Sequence, residues 1–215
     1  MTYPTFEPKD RADWRRWLQK HHASSNGVHL VYVKKPARSL AYGEAVEEAL
    51  CFGWIDSVVR PIDDAKYMQL FTPRRPRSGW SGLNKRRIEA MIERGLMTRA
   101  GLERIEAAKR DGSWTRLDHI ERLTIPPEFE RALKKNAKAR KRFESLTPSQ
   151  RKIFLYYLHG VKSEHLRTQR LKESIDRLAA GAKHPREITR TAGPSSGRAS
   201  TRGTRAGTPP RAPRR

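Results

Sequence analysis

The chain has 215 residues, 36% of them hydrophobic, and a net charge of +23 from 46 Lys and Arg against 23 Asp and Glu. That length suits one domain of ordinary size built from two subdomains, and the low apolar fraction confines a core to the first part of the chain. No run approaches the eighteen or so apolar residues of a membrane span, which excludes a transmembrane segment of helical type.

Near the N-terminus, MTYPTFEPKD has neither a basic n-region nor an apolar h-region. A cytoplasmic address is therefore expected, and the single cysteine, Cys51, fits a reducing compartment. Asp10 can cap a helix whose apolar residues Trp14, Trp17 and Leu18 recur at i, i+3 and i+4. Val28 to Val33 is a short apolar, β-branched run and predicts a strand. Tyr42, Val46, Ala49 and Leu50 return to helical spacing, which Gly53 interrupts. Trp54 to Arg60 and Lys66 to Thr72 read as strands joined through the turn-forming Pro61-Ile62-Asp63-Asp64, a hairpin.

From Ser81 onward the pattern is helical. Ile88, Met91 and Ile92 mark one helix, Leu102 and Ile105 the next, and Pro126-Pro127 a helix start before Phe129 and Leu133. Thr147-Pro148-Ser149-Gln150 has the capping-box pattern and leads into Ile153, Phe154, Tyr157, Leu158 and Val161. A last helix carries Leu171, Ile175, Leu178 and Ala179 and can stop at Gly181. The expected fold class is thus α+β: a small N-terminal α/β unit with a short three-stranded sheet, residues 1–75, then a helical half, residues 76–181.

Residues 182–215 form a third piece. They hold nine Lys and Arg against one acid, Glu187, and Ile188 is their only large apolar side chain. Such a composition buries too little to offset its ordering entropy, so a disordered basic tail is expected. A cationic arm of this kind can hold nucleic acid through counterion release; a solvated extension is the other reading.

Chemistry concentrates in two segments, ALCFGWID (Ala49 to Asp56) and TPRRPRSGWSGLN (Thr72 to Asn84). If a strand ends near Thr72 and a helix begins near Ser81, the connection enters a helix N-terminus, where free N–H groups and the dipole favour an anion. Arg74, Arg75 and Lys85 flank that point, Ser78 and Ser81 offer hydroxyls, and Asn84 an amide. Arginine forks match phosphate or carboxylate in two hydrogen bonds. Trp54 and Trp80 can supply stacking walls and Asp56 can orient an arginine. The alternative is structural: a serine that only caps the helix, an Asp56 that only neutralises a buried arginine, and tryptophans that only fill the seam between sheet and helices.

These segments, in their order and spacing, resemble the bacterial YdeI/OmpD-associated family, also called bacteriocin-protection proteins. Further pieces agree: Trp14 to Leu18 (WRRWL), Val28 to Lys35, Gly95-Leu96-Met97, Ala100 to Leu102, Ala107 to Trp114 (AAKRDGSW) and Arg177 to Gly181. The resemblance runs from about Trp14 to Gly181 and implies a part in resistance to bacteriocins and cationic antimicrobial peptides, with an indirect envelope connection and no assigned reaction. Two features depart from it. Leu166-Arg167 stands where a Thr-Arg pair is associated with the last helix, and the Arg-rich tail lies outside the family's body.

No HExxH, CxxC, P-loop, GxGxxG or GxSxG spacing occurs, so no metal, nucleotide loop or cofactor is expected. Cys51, beside Phe52 at an apolar helix end, reads as a buried inert thiol. The reading at this level is a protein leaning away from catalysis that binds an unknown anionic ligand between Arg74 and Lys85. Its alternatives are a nucleic-acid binder using its basic body and tail, and an enzyme acting on a small phosphorylated or carboxylated substrate with Asp56 as acid or base.

Overall fold

In the computed structural model, residues 3–34 and 40–186 are described. The disordered tail expected from composition falls, beyond Arg186, outside the described residues. Its first part behaves differently from that expectation: Ala182 is 1% exposed and Pro185 is buried, and Arg142 Nε donates to the Ala182 carbonyl at 3.2 Å. The body therefore continues past Gly181.

The chain begins with β1 (Thr5–Phe6), then α1 (Arg11–His21), β2 (Val28–Val33), α2 (Tyr42–Cys51) and the hairpin β3 (Trp54–Pro61) and β4 (Lys66–Pro73). The fold is α+β, with one correction to the expected sheet: among the described residues it has four strands, in the order β1-β2-β4-β3. The added strand is two residues long, held between Pro4 and Pro8, and pairs parallel to β2 through Thr5↔His29 and Phe6↔Leu30. Proline at either flank and the short run hide it from any periodicity argument. Asp10 caps α1 as expected, its Oδ1 accepting from Asp13 N at 2.7 Å, and Asp63 shapes the hairpin turn by accepting from the N–H groups of Ala65 and Lys66, both at 2.7 Å.

One face of the sheet meets α1 and α2. Trp14, Leu18, Val28, Leu30, Phe71 and Trp54 are almost wholly buried there, and Trp14 meets Phe71 edge-on at 5.5 Å. Each such side chain removed from water contributes about 2 kcal/mol. α3 (Gly82–Glu93) and α4 (Arg99–Arg110) complete this first core through Ile88, Met91, Ile105 and Ala108. Ile92 and Leu102, on the predicted apolar faces of these helices, are 50% and 43% exposed, because the stripe each helix packs against α2 is narrower than the apolar pattern. α4 docks end-on against α2: Thr98 Oγ1 donates to the Cys51 carbonyl at 2.6 Å, and any Cβ on Gly101 would collide with that same carbonyl.

A second core begins at Ile120. It is built from α5 (Asp118–Glu121), α6 (Pro127–Lys135), α7 (Ala137–Ser145), α8 (Pro148–Leu158) and α9 (Glu164–Ala179). Phe129, Phe143 and Phe154 meet edge-to-face at its centre. The basic run Lys138 to Arg142 lies on α7, separated from α6 by Asn136, whose side chain caps α7 through Ala139 N at 3.0 Å. The predicted capping box at Thr147 and Gln150 forms in both directions, at 3.3 and 3.0 Å, and Gly181 takes the left-handed conformation that ends α9, with φ +85°.

Candidate functional site

The junction between β4 and α3 is where the candidate chemistry sits. The Arg74 N–H donates to the Gly53 carbonyl at 2.9 Å and closes the sheet's edge; Pro73 and Pro76 then forbid further ladder bonds. A tight turn follows. Ser78 donates from Oγ to the Arg75 carbonyl at 2.8 Å, and Arg77 takes a left-handed φ of 58°, rare for a residue with a side chain.

That turn folds the Arg74 side chain inward. It is 6% exposed, its guanidinium carbon lies 3.7 Å from the centre of the Trp80 ring, and Nη2 donates to the Gly79 carbonyl. Its Nε has no hydrogen-bond partner, and no carboxylate lies within ion-pairing distance among the described residues. Burial pushes its pKa down to about 10, the more distant charge of Asp56 opposing, so the group remains a cation at neutral pH. A cation taken from water without a counter-charge is costly, and such groups ordinarily find a partner.

Arg74, Arg75, Ser78 and Trp80 line one small cavity of about 80 Å³. It has room for a few waters or one small oxyanion. Its remaining wall includes Arg77, Arg104, Asp111 and Ser113. The last two lie beyond the end of α4, where an Asp-Gly turn brings the chain back: Asp111 Oδ1 accepts the Ser113 N–H at 2.8 Å. Ser113 is 1% exposed, and its Oγ approaches Asp111 closely enough to help hold that carboxyl below its usual range without forming a well-aligned hydrogen bond. Arg104, Asp111 and Ser113 were not singled out by sequence reasoning; only the Ala107 to Trp114 stretch as a whole drew notice.

The other predicted residues are brought elsewhere. Ser81 caps α3, accepting from Asn84 N at 3.3 Å, and the Asn84 side chain accepts from Arg87 at 3.1 Å. Lys85 pairs with Asp118 and lies 5.1 Å from the Trp114 ring. The helix N-terminus that favours an anion already has one from within the chain. Glu121 reaches the Gly82 N–H and also accepts from Lys152 Nζ at 2.5 Å and Tyr156 OH at 2.8 Å. Burial works to raise this carboxyl, but those three contacts prevail and hold it at about 2.

Trp54 is spent in the core: it is 1% exposed, donates from Nε1 to the His22 carbonyl at 3.1 Å and meets Trp17 edge-on. Asp56 accepts from Tyr42 OH at 2.9 Å and Gln69 Nε2 at 2.7 Å, and it makes no ion pair with Arg74 or Arg75. Both bonds fall on Oδ2, so neutral donors rather than an arginine hold that oxygen. Cys51 is fully buried, and burial together with the nearby Glu48 pushes its thiol up to about 11, the reverse of what activates a nucleophile. Among the described residues no three His, Cys, Asp or Glu side chains gather to hold a metal ion, and no helix is long and apolar enough to cross a membrane.

The class so defined is an α+β protein of two packed cores with a buried cation at the strand-to-helix junction. Comparison with known proteins assigns its parts. Residues 122–181 match the family model described as bacteriocin-protection, YdeI or OmpD-associated, and residues 6–104 match a domain of unknown function, DUF8412. Over residues 122–181 the chain thus carries a YdeI/OmpD-associated domain, in keeping with the resemblance drawn from the sequence. The two segments with which the resemblance began, Ala49 to Asp56 and Thr72 to Asn84, lie within the span of the other match. No curated protein and no solved structure matches the chain.

Proposed function

We propose that the protein is a cytoplasmic anion-binding protein of the bacteriocin- and antimicrobial-peptide-protection type, taking phosphate, sulfate or the anionic group of a larger molecule at the Arg74 cavity. One observation carries this reading: Arg74 is a buried cation whose Nε lacks a partner and which faces no carboxylate at ion-pairing distance. An oxyanion would supply the missing counter-charge, and Ser113 and Arg75 line the same cavity. Trp80 holds the guanidinium plane in place beforehand, which reduces what binding must spend on ordering. The protective role rests on the description of the family that residues 122–181 match.

Thermal melts in phosphate or sulfate, against chloride at equal ionic strength, test the site. Specific protection should grow with the logarithm of ligand concentration, by about 2.7 kcal/mol at a hundredfold excess over Kd. Arg74→Met and Ser113→Ala should each remove most of it, whereas Lys138→Gln with Lys141→Gln on α7 should leave it intact. Cells whose own copy is replaced by the Arg74→Met form should lose protection against a cationic peptide in parallel. If phosphate protection persists in both cavity variants, the junction is not the site. If it vanishes equally in the lysine variant, and binding to nucleic acid falls steeply with salt, the basic surface acts as a diffuse polyanion binder instead.

A further inference from the structure

On the other side of the same turn lies a second, much larger cavity, of about 770 Å³. Arg77 and Ser78 belong to the walls of both cavities, but the rest of this one comes from the helical half. Its apolar side is made by Ile120, Leu155 and Val161, all buried, with Leu158 beside them. Its rim is cationic: Arg77, Arg116, Lys162 and Arg167 stand there against one carboxylate, Glu128. None of these four cations is in an ion pair among the described residues. Arg116 and Arg167 donate only to backbone carbonyls, those of Arg77 at 2.5 Å and Val161 at 3.5 Å.

Two imidazoles complete the wall. The rings of His119 and His159 lie 4.9 Å apart at 47°, an arrangement that sequence spacing does not announce because forty residues separate them. Burial, and then the neighbouring His119 and Arg116, hold His159 below its usual range. It is therefore neutral at pH 7 and free to take up a proton if an anion arrives. A concave, largely apolar cavity with a few converging cationic groups is the general form of a small-molecule site.

We propose that this cavity binds an organic anion with an aromatic or apolar body, whose body rests against Ile120, Leu155 and Val161 and whose charge is met by Arg116, Lys162, Arg167 and the imidazole pair. It is a site separate from the Arg74 cavity and takes a different ligand: the inner cavity admits little more than the oxyanion itself, while this one has room for a molecule of nucleotide size. Arg116 is the cation acting most directly on His159, and Arg77, Lys162, Arg167 and Glu128 line the same cavity, so a bound anion lowers the cost of charging His159 and proton uptake there accompanies binding.

Naphthalene-2-sulfonate is a suitable probe, because its charge is constant across the range tested, and naphthalene-2-sulfonamide is its neutral counterpart. Titration calorimetry on the full chain should give binding of the sulfonate about tenfold tighter than of the sulfonamide. Affinity should rise as pH falls from 8 to 6, with proton uptake visible as a dependence of the measured heat on buffer. Arg116→Gln, at an exposed position, should weaken the sulfonate about tenfold; Lys162→Gln, also exposed, provides a second variant that removes rim charge without touching the core. His119→Gln with His159→Gln should flatten the pH dependence. Arg74→Met should leave sulfonate binding as it is, and Arg116→Gln should leave phosphate protection as it is, so the two sites succeed or fail separately. Equal affinity for sulfonate and sulfonamide, unchanged affinity in both Arg116→Gln and Lys162→Gln, or a pH profile insensitive to the loss of both histidines would each overturn the proposal.

Discussion

Among the described residues of the sheet-bearing half, Glu48 and Arg74 are the two most deeply buried charged side chains, at 2% and 6% exposure, yet their surroundings are opposite. Glu48 sits on α2 facing α1, where Arg11 Nε and Arg15 Nη1 each donate to it at 2.6 Å; Arg11 also reaches Glu47 at 2.9 Å, and Arg15 the Leu96 carbonyl at 2.8 Å. Burial works to lower both arginines, and Glu48 outweighs it and raises them. Arg74 has an aromatic face and one carbonyl, and nothing to neutralise it. A buried charge whose partners all lie within the chain fastens the fold. One without them leaves a position that an outside anion can complete, which is the reading proposed for the junction.

The contrast is broken first at its strong end. Glu48→Ala strands Arg15 without an acid and leaves Arg11 only Glu47, so it should cost about 3–5 kcal/mol in urea unfolding; a loss under about 1 kcal/mol would mean that the pair network is not a fastener. Glu121 is the intermediate case, an internal anion on the N-terminus of α3. Its folded pKa is depressed, so its contribution is present above the unfolded value near 4.5 and is lost as pH falls toward about 2. Glu121→Gln should therefore lower stability at pH 7 by on the order of 2 kcal/mol and remove part of the wild-type decline between those pH values. The smallest effect is expected at Arg74. In buffer free of phosphate and sulfate, Arg74→Met keeps the stacked apolar stem and sheds an uncompensated charge, and should change stability by no more than about 1 kcal/mol, in either direction. A loss of several kcal/mol would place Arg74 with Glu48 among the fasteners.

What the sequence determined by itself are the features whose signals are local. The capping residues Asp10 and Thr147, the hairpin turn at Asp63 and the helix stop at Gly181 act within four residues of the backbone groups they satisfy, so their chemistry can be read in line. The concentration of Arg74, Arg75, Ser78 and Trp80 into one short segment was equally visible, and these four do line a common cavity. Tertiary structure decided the rest. It brought Glu121 to the α3 N-terminus and Asp118 to Lys85 across more than thirty residues, and so satisfied from within the groups that an isolated reading offers to a ligand. It also brought Ser113 to the wall of the Arg74 cavity, set His119 against His159 and turned Trp54 and Asp56 toward partners inside the sheet half. Side-chain identity announces which charges need a partner; which of them find one depends on contacts between segments far apart in the chain, and those exist only once both cores have packed.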